Sequence, residues 1–183
     1  METNICIRNI MKIKIFLLFI VLSFFNIAFA SDSEICEREF KDKNYTRALQ
    51  YCEKACSQND GLDCTSLGVL YAKGLGVKQD YKQAKTYFEK ACSLNDGWGC
   101  SKLGAFYYLG RGVKQDYKQA KNYFEKGCGQ NNGEGCIMLG GLYDFGLGVK
   151  QNKKVSKEYY GKACDLGLQK GCEEYRKLNE QGY

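Results

Sequence analysis

Histidine is absent from this sequence of 183 residues. Catalytic metal sites are usually built with histidine, and no complete nucleotide-binding fingerprint follows a predicted strand, so we expect neither a metal nor a cofactor. The 27 lysines and arginines outnumber the 21 acidic residues, but the lysines are spread over the chain and form no dense basic run. We therefore expect no nucleic-acid partner.

Long apolar runs are also lacking, apart from one near the start of the sequence. Lys12 and Lys14 precede an apolar segment from 15 to 27, and the small-x-small sequence AFA ends at Ala30. This order is typical of a secretory signal peptide that is cleaved after Ala30. A retained anchor is the alternative, but the run is shorter than the roughly 20 residues that span a bilayer. We predict a secreted or periplasmic protein, residues 31–183, with no stable membrane insertion.

Cysteine, in contrast, is abundant, and ten of the eleven cysteines follow this leader. Eight of them form four pairs with eight-residue spacing, and successive pairs start 36 residues apart. On a single helix such a spacing separates two cysteines by roughly 12 Å, which is too far for a disulfide, so the chain must turn between them. Asn95, Asp96, Gly97 and Gly99 are residue types that form such a turn. We predict the disulfides Cys56–Cys64, Cys92–Cys100, Cys128–Cys136 and Cys164–Cys172.

The remaining pair, Cys36 and Cys52, falls on the two helices of a first, shorter unit when the 36-residue frame is extended backwards. We therefore predict a fifth disulfide between them. A metal site that uses Cys52 and Cys56, four residues apart on one helix face, is the alternative. An even number of cysteines in an exported chain favours disulfides.

The same period governs the whole sequence. Segments 57–92 and 93–128 are two-thirds identical without a gap, and 129–164 follows the same plan. In each segment a first helix is predicted to start at the second cysteine of a pair, as at Cys64, and to end at a left-handed glycine, as at Gly74.

A Gly-x-Gly-Val turn then leads to a second helix, which Asp80 caps in the first full repeat and whose apolar residues have helical spacing. Each repeat is therefore a helical hairpin. Three glycines, Gly68, Gly104 and Gly140, are expected to let its two helices approach closely. A truncated hairpin at 31–56 precedes the repeats, and a polar cap at 165–183, with a helix from Cys172, closes the array.

The repeats LGVLYAKGLGVKQDYKQAKTYFEKA, LGAFYYLGRGVKQDYKQAKNYFEKG and LGGLYDFGLGVKQNKKVSKEYYGKA resemble Sel1-like repeats. With the cysteine pairs, the chain is similar to the Helicobacter cysteine-rich protein family. The resemblance implies an all-α fold, a right-handed, TPR-like solenoid of αα-hairpins in which the first helices line the concave surface. It also implies penicillin binding or β-lactamase activity.

The residues themselves do not favour a β-lactam hydrolase. A serine β-lactamase uses Ser-x-x-Lys, Ser-Asp-Asn and Lys-Thr-Gly elements, and none of the three occurs in this sequence. We expect every serine to lie in a turn, on an exposed helix face or near a terminus. Hydrolysis is therefore the alternative function, and we expect any turnover of β-lactams to be slow.

A binding scaffold is the preferred interpretation, because solenoids bind ligands with side chains that differ between otherwise constant repeats. The candidate ligand-binding residues are Trp98, Tyr108, Arg111 and Asp144, whose frame positions vary between repeats. Aromatic rings and charges of this kind suit an extended peptide, a protein or a cell-wall fragment. The tyrosines at another frame position, Tyr71, Tyr107 and Tyr143, are expected in the core. We expect a monomer.

Overall fold

The structure is a computed structural model that describes residues 30–183. The predicted signal peptide lies outside this range except for its last residue. Nine α-helices and no strand are found in the described part of the chain. They are α1 Asp32–Lys41, α2 Tyr45–Ser57, α3 Gly61–Lys73, α4 Tyr81–Ser93, α5 Gly97–Leu109, α6 Tyr117–Gly129, α7 Gly133–Phe145, α8 Lys153–Asp165 and α9 Gln169–Glu180.

Consecutive helices pack in pairs, as the repeat predicts: α1 with α2, α3 with α4, α5 with α6, and α7 with α8, while α9 packs against α8. The first helices of adjacent pairs also contact each other, in the order α1, α3, α5, α7 and α9. Second helices of adjacent pairs make no comparable contact within the described residues. The array therefore curves toward its first helices, which form its inner face.

The end of each first helix follows the predicted signals. Gly74, Gly110 and Gly146 adopt left-handed φ values of 67°, 68° and 70° as C-caps of α3, α5 and α7. The second glycine of each turn is also left-handed, and it lies against the start of the preceding second helix: a Cβ on Gly112 would be 2.8 Å from the carbonyl oxygen of Tyr81. The Gly-x-Gly-Val turn therefore joins neighbouring hairpins as well as the two helices of one hairpin.

The joint between hairpins is shorter than the sequence predicts. Only residues 94–96 separate α4 from α5, and Asn95 has a left-handed φ of 62°. Asp96 is the N-cap of α5 and accepts a hydrogen bond of 2.8 Å from the backbone N–H of Gly99. Gly97 and Gly99 therefore belong to the helix, which begins three residues before Cys100. Gly99 is required for packing, because a Cβ there would be 2.4 Å from the Cβ of Ala91.

Five disulfides close the structure, and they are the five pairs that the spacing predicts. They are Cys36–Cys52, Cys56–Cys64, Cys92–Cys100, Cys128–Cys136 and Cys164–Cys172. At Cys92–Cys100 the Cα atoms are 4.5 Å apart, because the turn folds the end of α4 back onto the start of α5. The last helix, like the other first helices, starts before its cysteine, at Gln169 and not at Cys172.

In each of the three full hairpins an aromatic ring of the second helix packs against a glycine of the first. A Cβ on Gly68 would be 2.6 Å from the ring of Phe88, and one on Gly104 would be 2.7 Å from the ring of Phe124. The corresponding distance from Gly140 to the ring of Tyr160 is 2.9 Å. These glycines therefore allow the close approach of the two helices, as the sequence predicts.

The repeated tyrosines lie at the edge of this core and not inside it. One tyrosine from each helix of a hairpin forms a stacked pair: Tyr71–Tyr87, Tyr107–Tyr123 and Tyr143–Tyr159, with ring centroids 5.4, 5.5 and 5.8 Å apart. All six rings are half-buried. All six pack against the buried core residues, so Tyr71, Tyr107 and Tyr143 contribute to the core as predicted, although they are only partly buried.

Replacement of Gly104 by alanine tests the close approach of α5 and α6. We expect the free energy of unfolding to fall by about 1–3 kcal/mol, since the added methyl group would overlap the Phe124 ring. Gly129→Ala is the matched control, because nothing lies within 4 Å of a Cβ there. Denaturant unfolding should show Gly129→Ala to be neutral or stabilising; equal losses in both variants would contradict the packing argument.

Candidate functional site

Two depressions lie side by side on the inner face, where α5, α7 and α9 meet. The larger has a volume of 330 Å³ and is lined by Tyr108, Ile137, Met138, Gly141, Leu142, Asp144, Phe145, Tyr160, Lys170 and Glu174. The smaller has a volume of 250 Å³ and is lined by Ser101, Lys102, Ala105, Phe124, Glu134, Ile137, Met138 and Lys170. Ile137, Met138 and Lys170 line both, so the two form one continuous surface, which we call the inner groove.

Tyr160 contributes a polar group to the larger depression. It occupies the position that Phe88 and Phe124 hold in the preceding hairpins, and its side chain is buried. Burial, followed by the charges of Asp144 and Glu174, raises the pKa of Tyr160 to about 12. The phenol therefore stays protonated at neutral pH, and its hydroxyl group can donate a hydrogen bond to a ligand.

Most charged groups of the inner groove are already paired. Lys102 lies 2.8 Å from Glu134 on the next first helix, and Lys153 lies 2.5 Å from Asp144. Lys170, in contrast, makes no ion pair within the described residues. The groove therefore offers an ammonium group that is available to an anionic part of a ligand.

Exposed apolar side chains recur at two positions of the first helices. Leu62 and Trp98 share the position near the helix start and are 55% and 46% exposed. Leu109 and Phe145 share the position at the helix end and are 50% and 69% exposed. Single exposed apolar residues are common, but their repetition on one face, beside a groove, is typical of an interaction surface.

The structure brings two of the four predicted ligand-binding residues into one depression. Tyr108 from α5 and Asp144 from α7 both line the larger one. Trp98 lies outside both depressions but close to the smaller, since the ammonium group of Lys102 is 5.5 Å from its ring centroid. Arg111 is exposed in the turn after α5, 5.7 Å from the ring centroid of Tyr81, and lines neither depression.

Three further groove residues, Met138, Lys170 and Tyr160, are not among the predicted ligand-binding residues. Lys170 shares the frame position of Trp98, so the variation that identified Trp98 could have identified it. Tyr160 could have been found from the change of phenylalanine to tyrosine at an otherwise constant core position. Met138 has no comparable signal, because it becomes significant only once α5 and α9 lie on either side of α7.

Two serines differ from their predicted surroundings. Ser101 on α5 and Ser156 on α8 are 4% and 0% exposed, so the prediction that every serine lies in a turn, on an exposed face or near a terminus was wrong. The hydroxyl oxygen of Ser101 has no hydrogen-bond partner in the described residues, and the neighbour of the Ser156 hydroxyl is the phenol of Tyr160. Neither is therefore bonded to a lysine or carboxylate that could accept its proton, which is how a nucleophilic serine is activated.

A second cluster of ligating atoms lies in the first hairpin. The sulfur atoms of Cys36 and Cys52 and a carboxylate oxygen of Asp63 lie within 4.8 Å of one another. The two sulfur atoms are bonded to each other in a disulfide. Cys56, which the alternative metal site would also use, forms a disulfide with Cys64. Disulfide sulfur is not a thiolate, so this cluster does not present the ligands that a metal requires.

Asp63 is unusual in that cluster because it is 2% exposed and one of its oxygen atoms has no hydrogen-bond partner. The later hairpins have glycine at this position. Burial raises the pKa of the Asp63 carboxyl; a hydrogen bond with Ser33 lowers it, and the charges of Asp60 and Glu37 raise it further. The ionised carboxylate therefore destabilises the contact between α1 and α3.

Comparison with known proteins identifies the repeat. The Sel1 repeat family model matches residues 38–60, 64–96, 99–132 and 133–168, which together form more than half of the chain. Among solved structures, cysteine-rich protein B (HcpB) of Helicobacter pylori is 37% identical, with a TM-score of 0.59. The match covers 71% of this chain and 93% of HcpB.

Other similarities are more distant or shorter. The c5321 antigen of uropathogenic Escherichia coli is 30% identical with a TM-score of 0.71, over 75% of this chain and 30% of that protein. HcpC of H. pylori, provisionally named a β-lactamase, is 43% identical over 42 residues. That segment is 23% of this chain and spans 14% of HcpC, so the similarity to HcpC is confined to a small part of it.

Replacement of Asp63 by asparagine tests the cost of its buried charge. Folding raises the pKa of Asp63 above the unfolded value of 3.8. Below pH 3.8 the carboxyl is protonated and its burial costs least, whereas stability is lost as the pH rises through the folded pKa and the carboxyl ionises. We expect Asp63→Asn to stabilise the fold at neutral pH, with a gain that shrinks toward pH 3. Thermal unfolding at several pH values measures it; Asp96→Asn, which keeps an N-cap, should show no such gain. A gain that does not change with pH would contradict the account.

Proposed function

Because the chain belongs to the Sel1 repeat family, we propose that it is an exported scaffold that binds a peptide, or an extended segment of another protein, in its inner groove. Sel1-repeat proteins generally mediate protein interactions, and the groove has the chemistry that such a role requires. Its apolar lining suits the side chains of a peptide, and Lys170 suits an acidic group of the same ligand.

The observation that carries this proposal is the distribution of variable residues. Positions that hold the hairpin together stay constant or nearly so, as Gly68 and Gly104 do under their aromatic partners. Positions that line the groove change from one first helix to the next, as Tyr108 and Asp144 do. A solenoid that presents different side chains on a constant frame is suited to the recognition of an extended ligand.

Export is the second part of the proposal. Disulfides persist in oxidising compartments, and the structure contains five of them in about 150 residues. The leader that ends at Ala30 supplies the route out of the cytosol. None of the helices in residues 30–183 is both long enough and apolar enough to cross a bilayer.

Hydrolysis of β-lactams is the alternative that the name of HcpC raises. The two buried serines do not favour it, because the hydroxyl groups of Ser101 and Ser156 have no lysine or carboxylate partner that could act as a base. Binding of a β-lactam or a cell-wall peptide without turnover is compatible with the groove. We therefore treat hydrolysis as an outcome that the binding experiment must also measure.

Gly141 gives a direct way to block the inner groove. A Cβ at this position meets only the hydroxyl oxygen of Tyr160, at 3.7 Å, so a larger side chain would extend into the 330 Å³ depression and disturb little packing. Peptides selected from a random library on the oxidised protein should bind the Gly141→Phe variant at least about tenfold more weakly, a loss of about 1.4 kcal/mol. Gly129→Phe, which adds the same ring on α6 away from the groove, should bind as the unchanged protein does.

Two results would contradict the proposal. One is equal binding of the selected peptides to the unchanged protein and to Gly141→Phe, which would place recognition elsewhere. The other is nitrocefin hydrolysis by the oxidised protein at roughly 1–1,000 per second, the usual range for enzymes, which would favour the hydrolase.

A further inference from the structure

We propose that Asn44 is an acceptor site for N-linked glycosylation. Asn44, Tyr45 and Thr46 form the acceptor sequence Asn-x-Thr, and no other Asn-x-Ser or Asn-x-Thr occurs in the 183 residues. Asp42, two residues before the asparagine, adds a negative charge that a transferase with a cationic peptide site can recognise. The inference depends on the proposed export, because such transferases act on exported chains, and it does not depend on what the inner groove binds.

The acceptor sequence lies where a transferase can reach it. Asn44 is exposed in the turn that joins α1 to α2, and Lys43 before it has a left-handed φ of 62°. A shallow surface depression of 540 Å³ surrounds the turn and is lined by residues 43–47 together with Gly76. None of these residues lines the inner groove. A glycan at this site would therefore leave the groove open.

The side chain of Asn44 does not cap its helix, unlike the side chains of the residues that precede most other helices. Six other helices in the described region begin with an aspartate or asparagine whose side chain accepts a hydrogen bond from the helix backbone: Asp60, Asp80, Asp96, Asp116, Asn132 and Asn152. Asn44 is the N-cap of α2, yet it makes no such bond. Modification of this amide would therefore remove no cap from the helix.

The contact that Asn44 does make is compatible with a glycan. Its Nδ2 donates a hydrogen bond of 3.0 Å to Oε2 of Glu39, a buried carboxylate that also lies near Arg38 and Arg47. A primary amide carries two hydrogens on this nitrogen, and glycosylation replaces one of them. The remaining N–H can continue to donate to Glu39, so the folded hairpin has no need to rearrange.

The reaction needs a donor, which we identify by class as an oligosaccharide linked to a lipid pyrophosphate. A bond forms between Nδ2 of Asn44 and the anomeric carbon of the first sugar, while the bond from that carbon to the phosphate oxygen breaks. The lipid pyrophosphate leaves with the electron pair, and the amide proton passes to a base of the transferase. No oxidation or reduction takes place.

The experiment uses the purified full chain, a purified bacterial oligosaccharyltransferase and a lipid-pyrophosphate-linked oligosaccharide. Intact mass and peptide mapping should show one added oligosaccharide, on the peptide that contains Asn44. Thr46→Ser should retain it, whereas Asn44→Gln and Thr46→Val should lose it, because the transferase reads the hydroxyl group at this position. Asp42→Ala should reduce the modified fraction if the acidic side chain is recognised.

The oxidised and the reduced chain are tested in parallel, so that folding and acceptor chemistry are separated. Modification of either form supports the assignment, and we expect the reduced chain to react faster, since Thr46 lies in the first turn of α2. Absence of the glycan from both forms, while a control acceptor peptide is modified in the same mixture, would overturn the proposal. Undiminished modification of Asp42→Ala would overturn the role of Asp42 alone. The assay involves neither export nor a groove ligand. Absence of glycosylation is therefore distinguishable from a failure of the proposed export or of the proposed binding function.

Discussion

The covalent closure of each joint between hairpins is the constraint on which the rest of the structure depends. Cysteines eight residues apart are joined across a three-residue turn, with Cα atoms 4.5 Å apart at Cys92–Cys100 and at Cys164–Cys172. A closed loop of nine residues contributes roughly 2.5 kcal/mol in the chain-entropy account. Because each hairpin touches only its neighbours, the array has no large shared core, so these local bridges account for a considerable share of its stability.

The bridges also determine what the inner face can be. Each joint fixes the end of a second helix against the start of the next first helix, and the small residues at the joint, such as Gly99 beside Ala91, allow that contact. The first helices are therefore brought next to one another, and their positions that face away from the second helices form a continuous surface. Several side chains there, such as those of Tyr108 and Asp144, occupy positions that vary between hairpins. A binding groove and a constant frame follow from the same packing.

Local geometry was predictable from the sequence wherever one residue type fixes it. The left-handed glycine at Gly74, the N-cap at Asp80 and the close approach at Gly104 each depend on a backbone angle or a missing Cβ, which residue identity reveals. The start of each first helix was predicted three residues late. Glycines there resemble turn residues in the sequence, but Gly97 lies against the next joint, at Gln130 and Asn132, and Gly99 lies against Ala91 of α4, so neither position has room for a side chain.

The groove was only half predictable for a related reason. Variation between repeats identified Tyr108 and Asp144, which do share a depression, but it gave no distances, so Arg111 was included although it lies beside Tyr81. Likewise, the burial of Ser101 depends on two glycines of adjoining helices, Gly127 and Gly135, which only the folded array brings together. The position of a residue in the repeat predicts whether it varies between hairpins. Only the packing of the helices determines which of the variable residues come into contact.

Amide hydrogen exchange on a variant without the Cys128–Cys136 bridge tests the central claim most directly. With both cysteines replaced by alanine, the account predicts that protection falls around the joint between α6 and α7 by an amount equivalent to roughly 2.5 kcal/mol, while α3 and α4 keep theirs. Unchanged protection at that joint would contradict the account, because it would show that packing alone holds neighbouring hairpins in place.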